Sequence, residues 1–409
     1  MKSERIFEKA YVTKKAQRAI RDGHMWVYDT EIESISESAE NGALVDVLSA
    51  SGTYLGTGIL SLKSKIRIRI LSENANDRYG EPFFDRRIRY ALEYRKTVMG
   101  KDFSCCRLVF GEADGLPGLT VDRFSDILVC QVLSYGIDIR KDMIFELLYK
   151  NLSEMGEKIS GIFERNDVAI RKLEGLCEYK GWYDFKKIAH PENTNVEICE
   201  NGIYYDVDFE NGQKTGFFLD QKYNRLAVSK LAKGRKVLDC FTHTGSFALN
   251  AAYGGAESTT AVDISEYALD CAKKNACRNN LSDKIDFIKA DVFDLLCEIE
   301  NEKKKPYDFI ILDPPAFTKS RKTLHNAERG YKEINYRAMK ILPRGGYFAT
   351  CSCSHFMKEE LFVKMLKSAS ADAGVSLRQI EARQQSPDHP ILWNMPETDY
   401  LKFFIFQVV

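Results

Sequence analysis

The chain contains 409 residues, a length that predicts two to three domains at about 150 residues per domain. Lys and Arg total 59 and Asp and Glu total 59, so the formal net charge is zero. This balance excludes a polybasic protein, and any nucleic-acid site requires local separation of charge. Hydrophobic residues make up 44% and charged residues 29%, which is typical of a folded chain and not of a disordered one.

Cysteine usage and apolar runs indicate the compartment. The 11 cysteines are too sparse for a disulfide scaffold, and no CxxC pair has the partners of a zinc site, so we expect no metal. Residues 1–10 are charged throughout, unlike a secretory signal peptide. No apolar run approaches the roughly 18 residues of a membrane span. We predict a cytoplasmic protein with reduced thiols and no membrane partner.

Residues 1–75 have the pattern of a small β-rich domain. Alternating runs at 44–48 and 66–71 read as strands, and glycines between them mark turns. Residues 1–21 carry seven Lys or Arg against two Glu. On the second strand, alternation would place four basic side chains on one face. That face either contacts phosphates or is the solvated outside of a small barrel; its residues are Lys63, Lys65, Arg67 and Arg69.

Residues 76–190 predict an α+β middle domain. An amphipathic helix is expected over 81–100 and a second one over 141–152. Strands are expected at 107–110, 127–133 and 161–164. The mixture of both periods within about 110 residues distinguishes this region from the β-rich start.

Residues 191–409 alternate strand and helix, which predicts an α/β domain whose parallel sheet is covered on both faces. Helices are expected at 246–253, 265–280, 292–300 and 325–341. The strands that separate them are expected at 236–240, 259–262, 285–289, 309–312 and 347–350, with a last strand at 403–408.

Acidic residues stand at the carboxyl ends of four successive predicted strands: Asp239, Asp263, Asp291 and Asp313. Open α/β sheets bind ligands at this edge, and an acid at the end of the second strand commonly accepts hydrogen bonds from ribose hydroxyls. A loop with Gly245 follows the first strand, but GxGxxG is absent, which favours a ligand without a pyrophosphate. Each acid alone is equally well explained as the cap of the following helix.

These motifs resemble those of class I S-adenosylmethionine-dependent methyltransferases. More narrowly, the chain is similar to RlmI-type 23S rRNA 5-methylcytosine methyltransferases over nearly its whole length, and the segments that carry this resemblance are 23–27, 111–119, 121–123, 164–171 and 212–221. The resemblance implies a PUA-like RNA-binding domain over 1–75, an α+β middle domain over 76–190 and a Rossmann-like methyltransferase domain over 191–409. It implies S-adenosylmethionine as cofactor and RNA, 23S rRNA in particular, as partner.

The acids at successive strand ends predict a cofactor site at this edge of the sheet. Arg225 is expected to reach the methionine carboxylate of the cofactor, although an ordinary salt bridge explains it equally well. The full predicted set is Asp239, Phe241, Gly245, Asp263, Ile264, Asp291, Val292 and Arg225.

Methylation of cytosine carbon 5, as the resemblance implies, requires a nucleophile that adds to carbon 6 and activates carbon 5. Cys351 and Cys353 follow the strand beside Asp313 and point to one face of an extended chain. Spacing does not choose between them, and both are also readily explained as small buried residues. The Thr-Cys-Ser motif of related enzymes matches Cys351, so the predicted catalytic pair is Cys351 and Asp313. Pro314 and Pro315 stand where those enzymes have a second cysteine.

Two alternatives remain open. Asp313-Pro314-Pro315 followed by Phe317 also resembles the motif of amino-directed methyltransferases, which would methylate a nitrogen of RNA without a cysteine. A non-catalytic RNA-binding assembly factor would retain the fold alone. A DNA substrate is disfavoured by the PUA-like start. The oligomeric state is open between monomer and homodimer.

Three further interpretations concern polar and aromatic residues outside these motifs. Lys319, Arg321 and Lys322 either line a substrate channel or are solvated. His389 and Trp393 are candidates for a lid, and core packing is the favoured use of the tryptophan.

Overall fold

The computed structural model describes residues 5–318 and 323–409 and divides into two compact units. Unit 1 comprises Met1–Ile198, Val207–Leu219 and Pro387–Thr398; unit 2 comprises Cys199–Asp206, Asp220–Ser386 and Asp399–Val409. The predicted domain limits at residues 75 and 190 both fall inside unit 1, so they remain predictions. Within the described ranges, no helix is both long and apolar enough to cross a bilayer.

Unit 1 begins with a six-stranded sheet in the order β2-β6-β5-β4-β1-β3. Its elements are β1 (Glu8–Val12), α1 (Lys14–Arg21), β2 (Trp26–Tyr28), β3 (Ile32–Ile35), β4 (Leu44–Ser49), β5 (Tyr54–Leu60) and β6 (Ile66–Ser72). The pairing is antiparallel except between β1 and β4. Gly58 is required in β5 because a Cβ there would lie 2.5 Å from the carbonyl oxygen of Arg69.

A second, five-stranded sheet completes unit 1 in the order β11-β10-β9-β8-β7. Its long helix α2 begins after Gly80 with a proline in its first turn, ends at Gly100, and buries Phe83, Ile88 and Leu92. The elements are α2 (Glu81–Met99), β7 (Cys105–Phe110), β8 (Leu119–Phe124), β9 (Ile127–Val132), α3 (Tyr135–Asp138), α4 (Lys141–Glu154), β10 (Gly161–Arg165), α5 (Ile170–Leu173) and β11 (Lys180–Trp182).

A hairpin, β12 (Asn195–Glu200) and β13 (Ile203–Asp208), precedes the seven-stranded sheet of unit 2. The remaining elements are α6 (Lys222–Leu231), β14 (Lys236–Cys240), α7 (Ser246–Tyr253), β15 (Ser258–Asp263), α8 (Glu266–Arg278), β16 (Ile285–Lys289), α9 (Val292–Asn301), β17 (Phe309–Leu312), α10 (Leu324–Ile341), β18 (Tyr347–Ser352), α11 (Glu359–Ala373), β19 (Leu377–Arg383) and β20 (Lys402–Val408). The predicted α/β fold with a β-rich start and an α+β middle is confirmed, whereas α6, α11 and β19 were not predicted.

The sheet of unit 2 has the order β16-β15-β14-β17-β18-β20-β19. Strands β14 to β18 are parallel, and β20 runs antiparallel between β18 and β19. The central strands are apolar because helices cover both faces; Leu238, Ile310 and Phe348 are fully buried. Strand order reverses between β14 and β17, the point at which open α/β sheets form a ligand crevice.

The basic face predicted on β6 is only partly a surface. Ile68 and Ile70 are buried as expected, but Arg69 is also buried and donates to Glu174 at 2.8 Å. Glu174 further accepts from the hydroxyl of Ser61 at 2.7 Å. Burial pushes the pKa of Glu174 up, but Arg69 and the hydroxyls of Ser61 and Ser64 hold it below its ordinary value. Arg69 is therefore a buried ion-pair partner and not a phosphate contact.

We predict that Arg69→Met strongly destabilises unit 1, because it leaves the Glu174 carboxylate buried without its cation. Removing one partner of a buried pair typically costs about 3–5 kcal/mol. Arg67→Met is the matched control, since Arg67 donates to the carbonyls of Ser61 and Leu62 near the surface and, within the described residues, forms no ion pair. Thermal denaturation of both variants tests this, and equal shifts in Tm would refute the assignment.

Candidate active site

The four predicted acids lie at one edge of the sheet of unit 2, as their order in the chain required. Asp239 is the penultimate residue of β14 and Asp263 is the last residue of β15. Asp291 directly precedes α9, and Asp313 directly follows β17. Because these strands are parallel and adjacent, their carboxyl ends meet. The geometry thus provides a row of carboxyl groups at the crevice.

The loop after β14 is shaped for close approach by a ligand. Phe241 and His243 have φ values of 63° and 51°, and Gly245, at the start of α7, has 82°. The backbone N–H of His243 donates to Asp263 Oδ2 at 2.9 Å, and that of Ser265 donates to Oδ1 at 2.9 Å. Two backbone donors therefore orient the Asp263 carboxylate.

Asp239 is fully buried and incompletely satisfied. Its Oδ2 accepts from the Thr242 hydroxyl at 2.5 Å and from the Ala248 N–H at 2.9 Å, while Oδ1 has no hydrogen-bond partner among the described residues. Burial raises the pKa of this carboxyl to about 7, with Asp313 adding to the rise. A buried polar atom without a partner is costly in a closed protein, so Oδ1 is suited to receive a ligand donor.

The other predicted cofactor residues occupy different environments. Asp291 Oδ1 accepts from the Phe293 N–H at 2.8 Å, so this residue caps α9, as its alternative interpretation as a helix cap predicted. Ile264 is 67% exposed beside Asp263, an apolar surface next to the crevice. Val292 is buried in the core of unit 2, and Phe241 packs partly against the same core. Val292 can therefore meet a ligand only through its backbone.

Arg225 is used differently from the prediction. Its guanidinium donates to both oxygens of Glu200, from Nε at 2.6 Å and from Nη2 at 2.8 Å, and both side chains are buried. A buried bidentate pair of this kind orients the side chain rigidly. This pairing argues against Arg225 as the partner of a cofactor carboxylate and favours the salt-bridge interpretation, with the difference that the pair is interior.

The predicted catalytic pair is in direct contact. The thiol of Cys351, on β18, donates to Asp313 Oδ1 at 2.8 Å. The side-chain amide of Gln221 donates to the same oxygen at 3.2 Å and approaches Cys351 Sγ at 3.5 Å. Cys351 is fully buried, and burial followed by the charge of Asp313 raises its pKa well above the ordinary value. In this arrangement Cys351 is a protonated donor to a carboxylate.

Cys353 is the more accessible of the two thiols. It is the first residue after β18 and is partly exposed. Lys402 lies buried at the start of β20, where its Nζ donates to the carbonyls of Ser354 and Tyr400, each at 2.7 Å. Its charge also interacts with Cys353 and, more weakly, with Cys351. Neither Lys402 nor Gln221 is among the site residues predicted from the sequence; the signal for Lys402 is a charge that opens an otherwise apolar strand.

Two aromatic residues bear on the alternatives. Phe317 packs against Tyr331 and Phe293, with ring centroids 4.6 and 5.9 Å apart, respectively.

In unit 1 Trp393 is 96% exposed, so its expected core packing is wrong. His389 is buried against Asp388, which does not fit a mobile lid. The basic residues Lys319, Arg321 and Lys322 lie outside the described residues.

Comparisons with known proteins agree with this geometry. Residues 183–405 match the model of an S-adenosylmethionine-dependent methyltransferase family, and residues 10–73 match a PUA-like domain. The chain is 40% identical to ribosomal RNA large subunit methyltransferase I of Aliivibrio fischeri (strain MJ11), covering 98% of this chain and 99% of the relative. It is also 40% identical to the protein of that name from Aeromonas salmonicida, covering 96% and 97%, respectively.

A solved structure with the same fold is a SAM-dependent methyltransferase from Streptococcus mutans. It superposes with a TM-score of 0.82 at 22% identity and covers 98% of this chain and 100% of its own. The residues at the carboxyl edge fit the cofactor that the family model names. Asp239 offers a carboxyl oxygen without a protein partner, Asp263 a carboxylate oriented by backbone donors, and Ile264 an exposed apolar surface.

We predict that Asp263→Ala weakens binding of S-adenosylhomocysteine by roughly 1.5–3 kcal/mol, the scale of hydrogen bonds to a charged group. Asp270→Ala is the matched control, since Asp270 is an exposed acid on the neighbouring helix α8. Isothermal titration calorimetry gives both affinities. An unchanged affinity in a folded Asp263→Ala protein would remove this residue from the site.

The raised pKa of Asp239 predicts a pH-dependent stability. The unfolded carboxyl ionises near its ordinary value, about 3.9, and the folded one at about 7. Between these values the folded state holds the extra proton, so the free energy of unfolding falls as pH rises through this window. Asp239→Asn should flatten this fall between about pH 4 and 7, measured by Tm, whereas Asp286→Asn at an exposed position should not.

Proposed function

The chain belongs to the ribosomal RNA large subunit methyltransferase I family, and on this premise we propose that it methylates carbon 5 of a cytosine in 23S rRNA. The observation that carries the proposal is the position of Asp313, Cys351 and Cys353. They stand at the same carboxyl edge as the cofactor acids, on the adjoining strands β17 and β18. Methyl donor and target base would therefore meet at one crevice.

S-adenosylmethionine, when bound, supplies an electrophilic methyl group on a sulfonium. The residues of the chain must make the cytosine reactive, because carbon 5 of an aromatic ring is a weak nucleophile. A thiolate that adds to carbon 6 turns the ring into an enamine, and electron density then develops at carbon 5. Once carbon 5 carries the methyl group, loss of its proton to a base and departure of the thiolate from carbon 6 restore the ring and the enzyme.

We assign the attacking thiol to Cys353 in preference to Cys351. A nucleophilic cysteine must be reachable and must ionise, whereas a cysteine buried in apolar surroundings is inert. Cys351 is fully buried with a raised pKa, while Cys353 is partly exposed beyond the strand. Burial lowers the pKa of Lys402 to about 8, so it is mostly an ammonium at neutral pH beside the Cys353 loop, and a nearby cation stabilises a thiolate.

We propose that Asp313 contacts the target cytosine and that Cys351 helps to orient Asp313. The carboxylate accepts from the Cys351 thiol and from Gln221, and both contacts favour its ionised, oriented form. An ionised carboxylate accepts a hydrogen bond from the exocyclic amine of cytosine. The contact explains why a cysteine unable to attack is nevertheless placed at this edge.

The nitrogen-directed alternative is less well supported. It requires Phe317 to stack on the base, but this ring packs against Tyr331 and Phe293. It also leaves the two thiols beside Asp313 without a chemical use. The family to which the chain belongs likewise disfavours a non-catalytic assembly factor.

Unit 1 offers an aromatic surface for RNA. A cavity of about 360 Å³ is lined by residues that include Met25, Arg87, Tyr90, Tyr94 and Leu392. Both tyrosines are exposed on α2. Trp393, next in the chain to Leu392, is almost entirely exposed. Unstacked bases of RNA bind to aromatic faces, so we propose that RNA contacts this surface. We also propose that the enzyme acts in the cytoplasm, where its rRNA substrate is found.

We predict that RNA with 5-fluorocytosine at the target traps a covalent complex, because fluorine at carbon 5 blocks the final proton loss. The complex should survive denaturation, disappear in Cys353→Ala and persist in Cys351→Ser, which keeps a donor to Asp313. Gel shift under denaturing conditions and peptide mapping identify the attached residue.

Attachment at Cys351 would retain the carbon 5 mechanism and return the nucleophile to the residue predicted from the sequence. Normal methylation by a Cys351→Ala/Cys353→Ala protein without any adduct would refute the carbon 5 mechanism. The nitrogen-directed reaction through Asp313 would then take its place.

A further inference from the structure

A series of side chains in unit 2, joined by hydrogen bonds, ends at Asp313. Arg383 Nε donates to Asn224 Oδ1 at 3.0 Å, and Asn224 Nδ2 donates to Gln221 Oε1 at 2.6 Å. Gln221 Nε2 then donates to Asp313 Oδ1 at 3.2 Å. Gln221 is 4% exposed and Asn224 is 1% exposed. The Gln221 and Asn224 links therefore lie in the interior, away from competing water, while the Arg383 side chain at the far end is 33% exposed.

The two ends of this series fix its direction. A guanidinium has donors only, so the atom of Asn224 that faces Arg383 must be its carbonyl oxygen. The amide nitrogen of Asn224 then faces Gln221 and requires the Gln221 oxygen opposite it. The remaining Gln221 nitrogen is left to face Asp313, and an ionised carboxylate is an acceptor only. The sequence of donors and acceptors is consistent at every step.

We propose that Gln221, oriented by Asn224 and Arg383, is a positioning residue that holds Asp313 ionised and aligned at the edge that carries the proposed nucleophile. Its role in catalysis rests on the proposed function, but its effect on the charge of Asp313 does not. Two titratable groups that interact with Asp313 are Asp239 on β14 and Cys351 on β18. Asp239 opposes ionisation of Asp313 when charged, so the donors from Gln221 and Cys351 must offset it.

Reversing the order of donors and acceptors along these hydrogen bonds tests the proposal. In Asn224→Asp the new carboxylate has no donor for Gln221, so the Gln221 amide must turn its nitrogen towards residue 224 and its oxygen towards Asp313. Two oxygens then face each other, and Asp313 should bind a proton at higher pH. Gln221→Met removes the donor directly, and in this variant too Asp313 should bind a proton at higher pH. Gln379→Met, at an exposed position on β19, is the matched control.

The measurement is the titration midpoint of the Asp313 ¹³Cγ resonance, assigned by its absence in Asp313→Asn. We expect the midpoint to rise by about one pH unit, or tenfold in proton affinity, in Gln221→Met and Asn224→Asp. It should not move in Gln379→Met. Asn224→Asp keeps the side-chain shape and serves if Gln221→Met does not fold. A folded variant with an unmoved midpoint would overturn the proposal.

The pH profile of kcat/KM separates this inference from the proposed function. If both hold, the acidic limb of the profile moves upward with the NMR midpoint, whereas a merely structural role lowers Tm without moving the limb. If the midpoint shifts in these variants but neither they nor the unmodified protein methylates cytosine, the positioning role is supported and the proposed function is refuted.

Discussion

Parallel pairing of β14 through β18 is the constraint on which the site depends. Asp239 and Cys353 are more than a hundred residues apart in the chain, and only parallel neighbours bring their strand ends to the same edge. The apolar strands permit this because helices cover both faces of the sheet. Reversal of strand order beside β14 then opens the crevice. A shift of one residue in register would turn Asp313 away from Cys351.

Burial then decides the charge of each group at this edge. Asp239 is withdrawn from water with one oxygen unpartnered, which favours its protonated form. Cys351 is held as a thiol by the same effect. Lys402 loses water but gains two carbonyls. Asp263, by contrast, meets backbone N–H groups. Burial thus raises the pKa of Asp239 and of Cys351 at this edge, a perturbation that is common at functional sites.

Sequence patterns predicted the sheet and the row of acids because both depend on period and order. Alternation of apolar strands with helices gave β14 to β18, and position at strand ends gave Asp263 and Asp313. Partners across the fold were not predictable in this way. Nothing in the local sequence pairs Arg69 with Glu174 or Arg225 with Glu200, since each partner is distant in the chain. Cys351 and Cys353 share a motif, yet the end of β18 separates a buried thiol from an accessible one. Which of them attacks remains a prediction.

The exposure of Trp393 has an optical consequence. The protein has three tryptophans, and Trp393 is the one almost fully in water. Trp26 donates its indole N–H to Glu112, and Trp182 stacks on His190, so both are held in the fold. Emission at the red end of the intrinsic fluorescence therefore reports on one side chain at the proposed RNA-facing surface of unit 1. A base that stacks on this indole would quench that component, so the intrinsic fluorescence of the native protein would report RNA binding at this surface.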